Sequence, residues 1–271
     1  MKKISEDELK KVSLDGLKFI KEICEKNNLE YYIGYGTLIG SIRHEGFIPW
    51  DDDIDIWMKR DEYEKFIEIV SKENNTDWEI LSIYNEDYYF PWAKLCNKSS
   101  MIVPSRFFSN LIYGIYIDIF PLEPLNECDE ERVVKMLEKD NFMYKKIYKK
   151  FNPYTGGIQN NKFKYFLKKM YFKIKRKTSD NHIDFLNQIK KRSLACKEAH
   201  YYICPLSPVP TYIKSEEINE KFLMNFEGEK FKVPIGYDSI LKRIYGDYME
   251  LPSKSKQVTH HSFEAYWKEE K

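Results

Sequence analysis

The sequence predicts an α+β protein: a mixed β-sheet core flanked by helices, with a basic helical region in the middle of the chain. Three observations predict it. One long amphipathic pattern is followed by several short runs of strand character within the first 125 residues. Acidic residues alternate with isoleucine in two of those runs. The length of 271 residues, with 42% apolar and 32% charged side chains, suits an ordinary folded chain with a sizeable core.

The elements follow in order. Leu9, Val12, Leu17, Ile20 and Ile23 fall near helical spacing among Lys and Glu, which predicts a helix over 5–27. Residues 31–33 read as a short strand running into Gly34-Tyr35-Gly36-Thr37, and 37–43 as a helix starting on that turn. A loop with Gly46 and Pro49 spans 44–52. Asp53-Ile54-Asp55-Ile56-Trp57 alternates polar and apolar side chains, the mark of a half-buried strand. A helix over 61–71 and strands over 78–84, 88–95 and 112–119 complete this part. From Asn141 to Ser179 there are twelve Lys and Arg and no acidic residue, and Asn152-Pro153 with Gly156-Gly157 breaks the stretch into two helical pieces. A third helix is predicted over 182–200, strand character over 222–233, and a last short helix over 237–245. The expected organisation is a catalytic core over 1–125, a basic helical region over 126–210, and a segment over 211–271 that packs back on the core.

Composition excludes several classes. Forty-four Lys and Arg against 43 Asp and Glu give a formal charge of +1, which removes the chain-wide electrostatic footprint of a nucleic-acid binder. No apolar run approaches the roughly 18 residues of a membrane span, and the start MKKISEDELKK has no apolar signal region. The expectation is a cytoplasmic protein, at most peripheral at the inner face of the cell membrane. Five cysteines, an odd number with no C-x-x-C pair, point to reduced thiols.

The chemistry concentrates in Pro49-Trp50-Asp51-Asp52-Asp53-Ile54-Asp55-Ile56. On a strand, Asp53 and Asp55 share one face about 7 Å apart while Ile54 and Ile56 turn to a core. Two such charges repel unless a cation sits between them. Clustered carboxylate oxygens suit Mg²⁺ or Mn²⁺, whose usual companion is a phosphate. Asp118, in Ile117-Asp118-Ile119, repeats the arrangement, and adjacency of the two strands would bring three carboxylates together. Upstream, Gly36 and Thr37 lie at a strand-to-helix turn that can offer backbone N–H groups and a hydroxyl to phosphate. A glycine turn, an acid–apolar–acid–apolar strand and a third acid on another strand form the pattern of the nucleotidyltransferase-type fold.

The run from Gly36 to Ile56 resembles the signature of the LicD family of phosphocholine transferases. Two further blocks match, Tyr116 to Leu122 and Phe231 to Pro252, so that the resemblance covers most of 30–125 and 222–261 and is weak across the basic middle. It implies a nucleotidyltransferase-like fold, a divalent metal, and transfer of phosphocholine from a CDP-activated donor to a sugar hydroxyl of a cell-envelope glycan such as lipopolysaccharide or teichoic acid. Fukutin-related proteins share the core signature but use CDP-ribitol, so the signature does not fix the donor. Carried over residue by residue, Asp53, Asp55 and Asp118 match the metal-binding catalytic acids, with Asp118 the candidate base. Asp51 and Asp52 would support them, and Arg43, His44 and Lys94 would meet donor phosphate. In this fold the nucleotide itself is ordinarily transferred, whereas here phosphocholine would move and CMP would leave.

Other signals stand beside this one. A quaternary ammonium binds best against aromatic faces, and Tyr35, Trp50, Tyr89 and Trp92, with Tyr84 and Tyr88 nearby, are candidates for a choline cage or for plain core packing. The basic stretch reads either as a solvated helical pair or as a dock for anionic lipid or a lipid-linked acceptor. Cys196, His200 and Cys204 have metal-ligand types at helical spacing but no fourth partner, and His260-His261 matches a family histidine. The competing functions are a nucleotidyltransferase moving NMP from an NTP to a small molecule, and a non-catalytic scaffold at the membrane face.

Overall fold

The computed structural model describes residues 1–73, 76–85, 88, 90–104, 113–151, 170, 181–259 and 263–269. Helix α1 (Glu6–Lys26) begins where the sequence supplies a capping box: Ser5 Oγ accepts the Glu8 N–H at 3.2 Å, and Glu8 Oε2 accepts the Ser5 N–H at 2.9 Å. Its apolar stripe from Leu9 to Cys24 is buried in the core. Then come β1 (Tyr32–Ile33), α2 (Tyr35–Arg43), β2 (Asp55–Lys59), α3 (Arg60–Lys72), β3 (Trp78–Leu81), β4 (Ala93–Asn97), β5 (Ser100–Pro104) and β6 (Tyr116–Leu125). The remainder supplies α4 (Glu130–Phe151), α5 (Asn181–Leu194), β7 (Tyr201–Cys204), β8 (Thr211–Lys214), α6 (Ser215–Ile218), β9 (Lys221–Phe226), β10 (Glu229–Pro234), α7 (Tyr237–Tyr245) and β11 (Phe263–Trp267).

One mixed sheet runs β1-β2-β6-β4-β3 and is continued by β7 and β8. Strand β6 is its spine. Residues 116–119 pair with β4, 118–122 run parallel to β2, and 123–125 pair with β7. The remaining neighbours in this sheet are antiparallel. Helices flank it, as the fold class requires. A buried ion pair fastens one of them: Arg60 Nε donates to Glu123 Oε2 at 3.0 Å, and Ser193 Oγ to the same oxygen at 2.5 Å. Arg60 Nη1 also reaches Glu64 Oε1 at 2.9 Å, so α3, β6 and α5 share one network.

Later residues return to the first half. Tyr32 donates its hydroxyl to the Ile218 carbonyl at 2.8 Å, and β11 pairs with β5. The hairpin of β9 and β10 lashes α2 and the acidic loop: Glu227 N donates to Glu45 O at 2.8 Å, Phe47 N to Glu227 Oε1 at 2.9 Å, and Ser41 Oγ of α2 to Asn225 O at 2.8 Å.

Several local expectations shift. The strand expected from Asp53 starts at Asp55, and the helix expected to reach 200 stops at Leu194, because 201–204 is drawn into the sheet beside β6. The strand expected over 88–95 lies at 93–97. Most of the basic stretch, 152–169 and 171–180, lies outside the described residues, as do Tyr89 and His260-His261.

Candidate active site

Strand register assembles the site. Asp55 on β2 is paired with Asp118 on β6, and Asp118 with Lys94 on β4, so the three side chains stand abreast on one face of the sheet. Ile54 and Ile56, on the opposite face, are fully buried. The start of β2 is held by the turn before it. Thr37 Oγ1 accepts the Asp55 N–H at 2.9 Å, and Gly34 N donates to Asp55 O at 2.9 Å. Asp53 sits in the approach to the strand, yet carboxylate oxygens of Asp53, Asp55 and Asp118 all lie within 4.8 Å of one another. Asp51, Asp52 and Asp53 make a second such group. Burial, then the charges of Asp53, Asp118 and Asp51, push the Asp55 carboxyl well above the usual carboxylate range, and Lys94 acts against them.

Asp118 is held from the other side. Its Oδ1 accepts Trp92 Nε1 at 2.8 Å and also the Lys94 ammonium. Lys94, the sequence's candidate to meet donor phosphate, is 2% exposed and surrounded by rings.

The turn at Gly36 and Thr37 does meet the acidic loop. A Cβ on Gly36 would lie 2.6 Å from Asp51 Oδ2, so only glycine lets the first turn of α2 approach that carboxylate. Tyr35, just before it, adopts φ +44°, a conformation rare outside glycine. Its burial supports the strain: the ring packs edge-on against Trp57 and Phe120, and its hydroxyl donates to Ser207 Oγ at 2.9 Å.

Arg43 and His44 stand at the other end of α2, a rise of about 10 Å from Gly36. Arg43 Nη1 donates to the Tyr248 carbonyl at 2.6 Å, and Nε to His44 Nε2 at 3.0 Å. In this arrangement Arg43 clamps the segment that follows α7. Burial, then Arg43, lowers the His44 pKa.

The aromatic candidates separate. Tyr35 and Trp92 belong to one packed row through Phe120, with Trp92 and Phe120 centroids 5.0 Å apart. Tyr88 is buried and donates to the Trp92 carbonyl at 2.7 Å, while Tyr84 is exposed and bonded to Glu64. Trp50 is half-buried, edge-on to His44. One ring escaped the sequence reading. Tyr245, at the end of α7, is 39% exposed, and burial of its hydroxyl followed by the charges of Asp55, Asp51 and Asp53 raises its pKa. Its only sequence signal is a tyrosine closing the predicted helix ahead of Gly246.

Cys196, His200 and Cys204 are not a helical triad. Cys196 follows α5, and Cys204 lies buried in β7, where burial pushes its thiol up to about 12. The only groups of potential metal-binding side chains among the described residues are the two aspartate sets.

A mixed sheet with an acid pair entering one strand and a third acid on its parallel neighbour defines a transferase of the nucleotidyltransferase fold class. Within that class the chain belongs to the LicD family. Over 276 aligned residues it is 31% identical to the lipopolysaccharide cholinephosphotransferase LicD of Haemophilus influenzae, a match spanning 98% of this chain and 99% of that protein. The family profile described as LicD/FKTN/FKRP, nucleotidyltransferase domain, matches residues 28–155. An uncharacterised protein of Rickettsia prowazekii is 40% identical over 62 residues, 20% of this chain and 23% of that protein.

Proposed function

We propose that this chain transfers phosphocholine, or a closely similar phospho-alcohol, from a CDP-activated donor to a sugar hydroxyl of a cell-envelope glycan. The observation that carries the proposal is the convergence of Asp53, Asp55 and Asp118, in a chain aligned over nearly its whole length with a cholinephosphotransferase.

The donor set fits Mg²⁺ or Mn²⁺. Three carboxylates offer hard oxygen ligands within 4.8 Å of one another, and their repulsion is the cost a cation relieves. Bound there, the cation would neutralise charge on the donor diphosphate during transfer. The first turn of α2, at Gly36 and Thr37, would offer its backbone N–H groups to a donor phosphate. Thr37 accepts the Asp55 N–H, and its own hydroxyl proton would be donated to a phosphate oxygen. The two donors on Asp118 Oδ1 fix its carboxylate beside Asp55, a placement that suits a ligand role as well as the base role the sequence suggests. Asp51 and Asp52 line the approach. Trp50 and Tyr245 are the rings with open surface there, and they suit the trimethylammonium end of a choline donor.

The acceptor side rests on the basic stretch. Lys145 and Lys146 of α4 are exposed, and a contact with anionic lipid or a lipid-linked acceptor would use them with the lysines beyond. No helix among the described residues is long and apolar enough to cross a membrane.

A donor panel tests the reading. CDP-choline, CDP-ethanolamine, CDP-ribitol, CDP-glycerol and NTPs are each supplied with Mg²⁺, and CMP and pyrophosphate are measured. CMP release from a CDP-alcohol is expected. Pyrophosphate from an NTP would establish the nucleotidyltransferase alternative, and no metal-dependent turnover of any donor would leave the scaffold.

A further inference from the structure

Lys94 sits where a mobile phosphate-binding lysine would not. It is the second residue of β4, the strand between β3 and β6, and is 2% exposed. Its Nζ is hydrogen-bonded to Asp118 Oδ1 and lies 3.4 Å from the ring centroid of Tyr116, 4.8 Å from Phe90, 5.9 Å from Trp92 and 6.0 Å from Tyr113. Four rings and one carboxylate therefore take the place of water around this ammonium. Aromatic faces can do so because their quadrupole attracts a cation. The chain has built a cation cage and filled it with a side chain of its own.

The position of that charge is set by the sheet. Lys94, Asp118 and Asp55 are register partners on three neighbouring strands, and Asp53 joins the two acids from the preceding loop. Three carboxylates gathered within 4.8 Å carry a formal −3, which one fixed lysine reduces to −2. A flexible surface lysine would relax toward solvent or ligand, but this one is walled in on several sides. Its effect on the cluster is therefore constant.

We infer that Lys94 is a built-in counter-charge for the carboxylate cluster: it holds Asp118 in place when no cation is bound, and it sets how strongly the cluster takes a divalent cation. The inference rests on the reading of Asp53, Asp55 and Asp118 as a metal site. It assigns Lys94 a positioning and charge-setting role. Attraction of a cation to the cluster is weaker with a fixed positive charge beside Asp118 than without it. A weaker hold keeps the site occupied only at ample metal concentration, and the site stays folded when it is empty.

The test is Lys94→Met, assayed for Mn²⁺ binding by calorimetry without nucleotide. Methionine is unbranched, of similar length and compatible with aromatic neighbours, so it fills the cage while removing the charge. Mn²⁺ is expected to bind at least tenfold more tightly than to wild type, and saturating Mg²⁺ to raise the melting temperature by a larger margin. General structural damage would loosen the site and weaken binding, so tightening separates the two explanations. Unchanged or weaker Mn²⁺ affinity in a folded Lys94→Met protein overturns the inference. If that variant does not fold, Lys94→Gln is held to the same criterion, and a variant that folds only with Mg²⁺ present supports it. Wild type that binds no Mn²⁺ under these conditions removes the metal-site reading itself, a result distinct from equal binding by both proteins.

Discussion

Replacing Asp55 with asparagine should make the protein more stable and inactive at once. Asp55 is opposed by its surroundings, since burial and three neighbouring carboxylates all act against its charge. Two unit charges 4.8 Å apart at an effective dielectric of about 20 cost about 3 kcal/mol, and Lys94 returns part of that through Asp118. A net gain of about 1–3 kcal/mol for Asp55→Asn is therefore expected in metal-free protein at neutral pH. Asparagine keeps the backbone N–H that Thr37 accepts, so the local scaffold survives. The pH dependence has a definite sign. A carboxyl held above its unfolded value binds its proton more tightly in the folded chain, so wild type loses stability as pH rises from the ordinary carboxylate range through the raised value. The variant lacks that loss. Urea denaturation in EDTA between pH 4 and pH 8, on an axis of about 1.4 kcal/mol per unit of full shift, reads both effects. Donor turnover with saturating Mg²⁺ should fall about 1,000-fold, the equivalent of about 4 kcal/mol of transition-state stabilisation. An Asp55→Asn protein less stable than wild type in EDTA, or one that turns over donor at the wild-type rate, would refute the reasoning.

Asp118→Asn should reduce Mn²⁺ affinity in step with activity if the acid is a ligand; retained affinity with collapsed turnover and an altered pH profile would make it the base. Arg60→Met strands the buried Glu123 carboxylate and should cost about 3–5 kcal/mol by urea denaturation, whereas Arg60→Met with Glu123→Leu should recover most of that. A double variant no better than the single would mean that the pair is not what secures α3 to β6. Reversing Lys145, Lys149, Lys168 and Lys169 to Glu should release the protein from anionic vesicles at low salt, at about 1 kcal/mol per charge, while sparing donor hydrolysis. Wild type that ignores such vesicles would dismiss the membrane contact.

The acidic residues were legible because their neighbours are so regular. Isoleucine on both sides of Asp118, and between Asp53 and Asp55, marks acids placed deliberately on a half-buried sheet. Their mutual pairing was not legible, because the register of β2 with β6 joins residues more than sixty positions apart. The same limit hid β5 and β11, a pair drawn from distant parts of the chain. The strand position of Lys94 was legible and its surroundings were not: a lysine between Ala93 and Leu95 reads as a strand residue, but only the packed structure brings Tyr113 and Tyr116 around its ammonium. Arg43 has partners that were hidden for a related reason, since the carbonyls it meets belong to Tyr248 and Glu250. Tyr35 and Trp92 show that an aromatic count near a site cannot separate a ligand cage from the wall behind it.

The lashing of the acidic loop bears on what counts as a portable catalytic module. The family profile spans 28–155, and every acid of the cluster falls inside it. Yet several of the bonds that tie down α2 and the loop carrying Asp51 to Asp53 come from Asn225, Glu227 and Tyr248, the last through Arg43 at the loop's entrance. A fragment cut to the profile would inherit the reactive groups without part of the harness that aims them. Grafting experiments or chimeras within the family therefore have to move two pieces together, the acid-bearing stretch and the distant hairpin and helix, because the heritable unit of the site is discontinuous along the chain.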